Sequence, residues 1–430
     1  MTDTLEATPT VPIPPGRGRW RLALMNRQYA WGTQWQNALV AEITDARTRR
    51  LELTKNAGGV LTFTLDGHSP SAALLTELTQ DVIAWRWDEY QGADVPMFRG
   101  VICQTQDSIS ADRHTVTVTC HDYLAMLGRR ILTRTYTTTQ MDQDYIVRDL
   151  VYLATDAAQS SSGVSFAPGS SFPLTVFGYN PDGSSRGVNV SGQLRDRTYA
   201  ANSVIGDLLS NLAAVIGGFD YDVRYLNNGS QSGLPATFDI LRIFYPRQGV
   251  TRSDLVLAYG ANVAEVTRSV NSADYANHVR VIGNNGDEDP AAPQLYSEAW
   301  NADANNVTVS PVGLWSTGLN ESDVSVQSTL DETAAGELAT AGVLVPSYSL
   351  KLTPGAYRWG VPNMGDSVPL VIRSGRLNVV STVDVVGITF APTDGDDGRE
   401  VVEIAVGRPV VTIGDLFTDL DRSVNALARR

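Results

Sequence analysis

Lysine is nearly absent from this sequence: Lys55 and Lys351 are the only two among 430 residues. The other basic side chains are arginines, whose planar forks pair bidentately with carboxylates. Acidic residues outnumber basic ones, 47 to 33, for a net charge of −14. That balance argues against a protein that grips nucleic acid by its phosphates, which takes clustered positive charge. It is compatible with a conduit that DNA slides through without sticking, and equally with acidity that serves only solubility. Cysteine is scarce too. Cys103 and Cys120 are too few for a disulfide framework in a chain this long. Each lies in a strand-like run, so the two are placed to face one another across a hairpin; buried, reduced thiols are the simpler expectation. No apolar run approaches the roughly 18 residues of a membrane span. Residues 1–18 are polar, rich in Thr and Pro, and lack the apolar core of a secretion signal. They read as a disordered arm; without a secretion signal, the sequons at Asn189, Asn228 and Asn306 are chance matches.

The usual catalytic signatures are missing as well. The four histidines, His68, His114, His121 and His278, have no partner at metal-ligand spacing. There is no Gly-rich phosphate loop. His121-Asp122 reads as a polar strand end. Asp394-Gly395-Asp396-Asp397-Gly398 puts glycine where a calcium loop needs a third ligand, so it reads as a turn. No catalytic, cofactor-binding or metal site is expected, and the chain is read as a non-enzyme.

What is present is a series of short alternating runs. In residues 60–65, Leu61, Phe63 and Leu65 share one face, and Thr62 and Thr64 the other, the period of a half-buried strand. Residues 39–43, 50–54, 82–87, 95–103 and 115–119 also read as strands, with a short helix over 71–78. From 352 onward, runs at 368–372, 379–390 and 400–406 alternate with Pro354-Gly355, Gly365-Asp366 and Asp397-Gly398 turns.

Between these strand-rich ends lies an α+β stretch. A helix is predicted over 144–157, burying Ile146, Val147, Leu150, Val151 and Ala154. Another is predicted over 203–216, with Ser203 as its cap and Gly217-Gly218 as its end. Strands over 219–223 and 238–244 form a hairpin after it. Residues 160–197 read as a long loop around the turn Asn180-Pro181-Asp182-Gly183. Strands follow over 263–270 and 274–283, then a polar, irregular stretch over 284–328 and a helix over 332–343. The tail, 412–430, spaces Ile413, Leu416, Leu420, Val424 and Leu427 along one helical seam. Trp300, Trp315, Tyr357 and Trp359 are loop aromatics, suited either to stacking on sugars or to burial at subunit contacts.

Several of these pieces together resemble a family. Gly59-x-Leu61-x-Phe63-x-Leu65, Met97-Phe98-Arg99-Gly100-Val101-Ile102 and His121-Asp122-Tyr123-Leu124-Ala125-Met126-Leu127 resemble the first tube-type barrel of phage tail hub proteins. The unit of helix, Gly-Gly and hairpin resembles their middle. Tyr275-x-Asn277-x-Val279-x-Val281-x-Gly283 resembles the entry to their second barrel, and the 352–411 stretch its end. The resemblance implies a mainly β fold with an α+β insert. Its parts are an arm (1–18), a first tube-type β-barrel (19–130), a middle α+β domain (131–260), a second barrel (261–411) and a C-terminal helix (412–430). It also implies a homotrimer forming a pseudo-sixfold ring at the tip of a virion tail, built in the host cytoplasm. DNA would pass through the lumen without specific binding. The partners implied are the tail tube or distal tail protein, the tape-measure protein, and a central fibre or receptor-binding protein. A peripheral carbohydrate- or receptor-binding protein and a cell-wall hydrolase are the alternatives.

Overall fold

The structure is a computed structural model. It describes residues 20–28, 36–88, 91–154, 174–187, 190–215, 217–227, 237–273, 275–283, 294–301, 312–321, 327–344, 346–392 and 400–407. The expected arm (1–18), the turn at 394–398, the helix over 412–430 and the three sequons lie outside these residues. The chain divides into two compact units, Met1–Val266 with Ser349–Val406, and Thr267–Tyr348 with Gly407–Arg430.

The fold is mainly β. In chain order, the first region holds β1 (Trp20–Gln28), β2 (Gln36–Ile43), β3 (Arg49–Thr54), β4 (Val60–Asp66), β5 (Gln80–Asp88), β6 (Ala93–Ile109), β7 (His114–His121) and α1 (Tyr123–Leu127). Then come β8 (Tyr136–Asp142), α2 (Gln143–Leu153), β9 (Leu174–Tyr179), β10 (Ser185–Gly187), β11 (Leu194–Tyr199), α3 (Ile205–Ala214), β12 (Asp220–Asn227) and β13 (Thr237–Phe244). After β14 (Leu257–Ala258) and β15 (Val263–Ser269), the second unit contributes β16 (His278–Gly283), β17 (Tyr296–Trp300), β18 (Ser316–Glu321) and α4 (Gln327–Ala341). The chain closes with β19 (Ser347–Leu352), β20 (Ser367–Ser374), β21 (Leu377–Pro392) and β22 (Glu400–Val406).

One 13-stranded sheet runs β15-β19-β22-β21-β3-β4-β7-β6-β5-β1-β2, with β20 on β21 and β14 on β20. The strands expected in two barrels are thus hydrogen-bonded into one sheet. Its junction is β21 against β3, where Phe390 pairs with Leu51 and Ile388 with Leu53. Alternation decides what is buried: Leu61, Phe63 and Leu65 on β4 and Val116, Val118 and Cys120 on β7 point to the core.

The sheet does not lie flat. Five strands separate β22 from β5 in the sheet order. Six strand spacings in a flat sheet would put them roughly 29 Å apart. Instead, the Glu400 carboxylate on β22 lies 2.6 Å from Arg86 Nη2 on β5. The same carboxylate accepts a 2.8 Å bond from Trp20 Nε1 on β1. Trp20 and Arg86 are direct cross-strand partners, so Glu400 bridges one rung of the opposite wall. The sheet has therefore curled back on itself.

The middle of the chain packs α1, α2 and α3 against a four-stranded sheet, β10-β9-β13-β12, and a two-stranded one, β11-β8. Ile146, Val147 and Leu150 of α2 meet Ile205, Leu209 and Leu212 of α3 in this core. Three readings change here. Residues 174–187 and 190–197, expected as loop, hold β9, β10 and the start of β11. Leu174 and Val176 are buried as β9 runs parallel to β13. The α3 cap is Val204, with no side-chain cap bond, and not Ser203. A bridge between Ile131 and Val204 holds Val204 extended, so the helix starts one residue later than a Ser203 cap requires. The helix over 71–78 reduces to a 3-10 turn at Ala72–Leu74. The turn at 180–183 stands as read, with Gly183 at φ +82 and its N–H donating to Asn180 O.

In the second unit, β17-β16-β18 form a small sheet with α4 packed on it through Val279, Val281, Leu330 and Ala334. Residues 296–300 and 316–321, expected to be irregular, are strands. Tyr296, Glu298 and Trp300 alternate with Ser297 and Ala299, and Ala299 packs at the α4 core.

Glu400 and Arg86 side chains are only 6% and 11% exposed. Removing one partner of a buried pair leaves an uncompensated charge and costs about 3–5 kcal/mol. Glu400→Ala should therefore lower unfolding stability in urea by about that amount. Trp20→Phe, which loses the N–H bond and part of a buried ring, should cost about 1–3 kcal/mol. An unchanged midpoint in Glu400→Ala would contradict the closure.

Candidate assembly surfaces

The side of β4 and β7 away from the core is a ladder of uncharged polar residues. Its rungs are set by register: Thr62 opposite Thr119, Thr64 opposite Thr117, Asp66 opposite Thr115. On the next strand, Gln104, Gln106 and Ser108 of β6 oppose the same three threonines of β7. Arg50 of β3 completes the first rung. One acid and one base stand at the margins; the remaining residues offer hydroxyls and amides. Such a face hydrates readily and holds no cationic cluster for phosphates.

A β-bulge makes the ladder three strands wide. Ile102 pairs with Cys120, but Gln104 pairs with Thr119, so Cys103 is the extra residue. From Met97 to Ile102 the strand is buried on both faces; beyond it, β6 emerges into solvent with β7. The expectation of two buried thiols is corrected at this point. Cys120 is buried, and burial pushes its thiol well up; Cys103 is exposed on the bulge. The two are not joined by a disulfide.

The β3–β4 turn anchors this wall to the middle region. Asn56, at φ +57, donates from Nδ2 to Asp220 Oδ1 at 2.9 Å and accepts from Tyr221 N at 2.8 Å. Lys55 Nζ lies 2.8 Å from Asp220 Oδ2. Three residues after Asn56, Gly59 N donates to Asp122 Oδ2 at 2.6 Å, while Leu124 N donates to Oδ1 at 3.0 Å. Asp122 is thus the N-cap of α1 and a clasp on the turn. Burial pushes its carboxyl up to about 7. Both its oxygens are taken by backbone N–H groups, so it does not orient His121. His121 is half-buried, and burial with nearby Arg129 lowers its pKa. Next to it, Asp81, Arg99 and Tyr123 form a buried group, with Arg99 Nη2 and Tyr123 OH both bonded to Asp81 Oδ2 at 3.0 and 2.5 Å.

The loop aromatics divide. Tyr357 is buried edge-on against Phe390, and Trp359 is tilted against the same ring, beside Arg86. Trp300 and Trp315 are exposed in the second unit. His68 and His114 stand edge to face in the first unit, lining a hollow of about 730 Å³ with Arg47 and Asp66. Among the described residues no group of His, Cys, Asp or Glu is arranged to hold a metal ion, and no helix is long and apolar enough to cross a membrane.

The two ends of the large sheet are open. β2 pairs only with β1, and β15 only with β19, among the described strands. Open edges bearing unpaired N–H and C=O groups are templates for another strand.

The architecture defined by this curled sheet and its α+β insert is that of a mainly β protein. It is the fold of prophage tail proteins. A 43 kDa tail protein of prophage MuSo2 from Shewanella oneidensis superposes with a TM-score of 0.53 at 12% identity, over 91% of this chain and 99% of that one. A tail protein from Neisseria meningitidis MC58 does so with a TM-score of 0.53 at 10% identity, over 90% and 96%. No protein-family model and no curated protein matches the sequence.

Asn56→Ala removes two bonds and leaves a non-glycine residue at positive φ, where Asn is favoured over Ala. It should destabilise the first unit by about 1–3 kcal/mol. Hydrogen exchange should show faster exchange at Tyr221 N–H; unchanged exchange there would contradict the anchoring role.

Proposed function

We propose that this chain is a structural tail protein: the hub at the tail tip of a long-tailed phage, acting as a homotrimer. The observation that carries the reading is the shared fold along nearly the whole length of the Shewanella and Neisseria tail proteins. The mechanism is geometric. Each copy brings a curled sheet with an open edge strand at either end. Pairing such an edge with a different edge of the next copy is a heterologous contact, which closes into a ring when the rotation fits. The Thr, Gln and Ser ladder supports a role as channel lining, since a neutral hydrated face neither repels nor holds phosphates strongly. In this reading the ring joins the tail tube or distal tail protein on one side and a central fibre or receptor-binding protein on the other. The tape-measure protein and then DNA pass through it. The protein is made in the host cytoplasm and ends in the virion, with no catalytic step of its own.

The test is electron microscopy of the purified chain mixed with the tail-tube protein of the same phage. Threefold rings with an axial channel, seated on tube ends, are the expected result. Decoration of the tube's outer wall, or no association, would contradict the hub position. Turnover in a dye-release assay on cell walls would contradict the non-enzymatic mechanism.

A further inference from the structure

The small sheet of the second unit is covered by α4 on one side. Its other side carries two rows set by register. His278 lies between Trp300 and Ser316, and Arg280 between Glu298 and Gly318. Tyr296 continues the Trp300–Glu298 series along β17 on the same face. Trp300 is 38% exposed and Tyr296 47%.

Both rings are held in place. Trp300 lies flat on His278, with centroids 3.7 Å apart and planes 22° from parallel. His278 is itself buried and fixed by a 2.8 Å bond between Nδ1 and Ser316 Oγ. The Arg280 guanidinium sits 4.3 Å over the Tyr296 ring. Fixed rings bind at a lower entropic cost than mobile ones.

Between the rings, polar groups converge without meeting. Glu298 Oε1 lies 3.8 Å from His278 Nε2 and 3.7 Å from Arg280 Nη1. Both separations are longer than a hydrogen bond. His278 Nε2 is buried and has no hydrogen-bond partner. The Arg280 guanidinium and the Glu298 carboxylate, side by side without a direct bond, are what a ligand hydroxyl satisfies. The hydroxyl accepts from Arg280 and donates to Glu298. Trp300 and Tyr296 are four residues apart on an extended strand, roughly 13 Å, which is longer than one sugar ring. Arg280 and Glu298 cancel in charge, so the face suits a neutral ligand; the chain's net charge of −14 disfavours a polyanion.

We propose that this face binds a neutral pyranose oligosaccharide. The apolar C–H faces of the sugars stack on Trp300 and Tyr296, and their hydroxyls pair with Glu298 and Arg280. A few convergent polar groups between aromatic surfaces are the general pattern of a small-ligand site. The proposal does not depend on the trimer.

The test is isothermal titration of the full chain with chitotetraose, cellotetraose and maltotetraose. Binding of at least one is expected. Trp300→Ala and Tyr296→Ala should each weaken it about tenfold. Glu298→Gln should weaken it as well. Tyr152→Ala, an exposed tyrosine on α2 of the first unit, should leave it unchanged. Thermal melting of each variant identifies any that fails to fold. Trp300→Ala removes the ring stacked on His278, so Tyr296→Ala and Glu298→Gln decide the question if it unfolds. Failure of all three sugars to bind would overturn the proposal, as would binding that survives Tyr296→Ala and Glu298→Gln. Intact sugar binding with lost self-association in the aromatic variants would make the face a subunit contact instead.

Discussion

The Glu400 carboxylate is the constraint on which the first unit depends. It sits at the start of β22, yet its partners, Arg86 and Trp20, belong to strands on the far side of the sheet. A sheet this long has no reason to keep one curvature unless something ties its walls. The carboxylate supplies that tie, and Phe390, Tyr357 and Trp359 fill the space around the guanidinium. The arrangement is chemically economical: Arg86 pairs through Nε and Nη2 while Trp20 takes the remaining acceptor capacity, so the charge is buried with its bonds made.

Once the sheet is curled, its two faces separate in role. The inner face holds the leucines and valines of β4 and β7; the outer face presents threonines and glutamines in register. The turn at Lys55 to Gly59 then fixes where the α+β region sits within the same unit. Asn56 takes the strand β12 and Asp122 takes Gly59. Every one of these contacts uses a polar group that would be costly to leave unpaired in the interior.

Much of this was legible in the residues. Alternation in 60–65 and 115–119 located β4 and β7 and their threonine face, because a half-buried strand leaves a period of two in the sequence. The apolar stripe of 205–212 located α3. Strands that are short or lie in polar surroundings were not legible. β9 is buried by a parallel partner about 65 residues away, and β17 alternates aromatic with small residues in a stretch whose turns dominate its composition. The Cys103 bulge also escaped notice, because a one-residue insertion in pairing leaves no mark in a single strand. The closure at Glu400 was not readable at all: nothing local to Arg86 names a carboxylate 314 positions later. In the second unit, the exposed Trp300 was visible as an aromatic in a polar region, but its seat on His278 required register between β16 and β17.

The proposed role of a subunit that works by shape rests on a curled sheet, a neutral face and the fold of prophage tail proteins. The most direct measurement is the mass of the purified full chain in solution by light scattering. The account predicts three copies of the 46.4 kDa chain per particle, alone or in a heavier complex with the tail-tube protein. A chain that stays at its single mass under both conditions would contradict it.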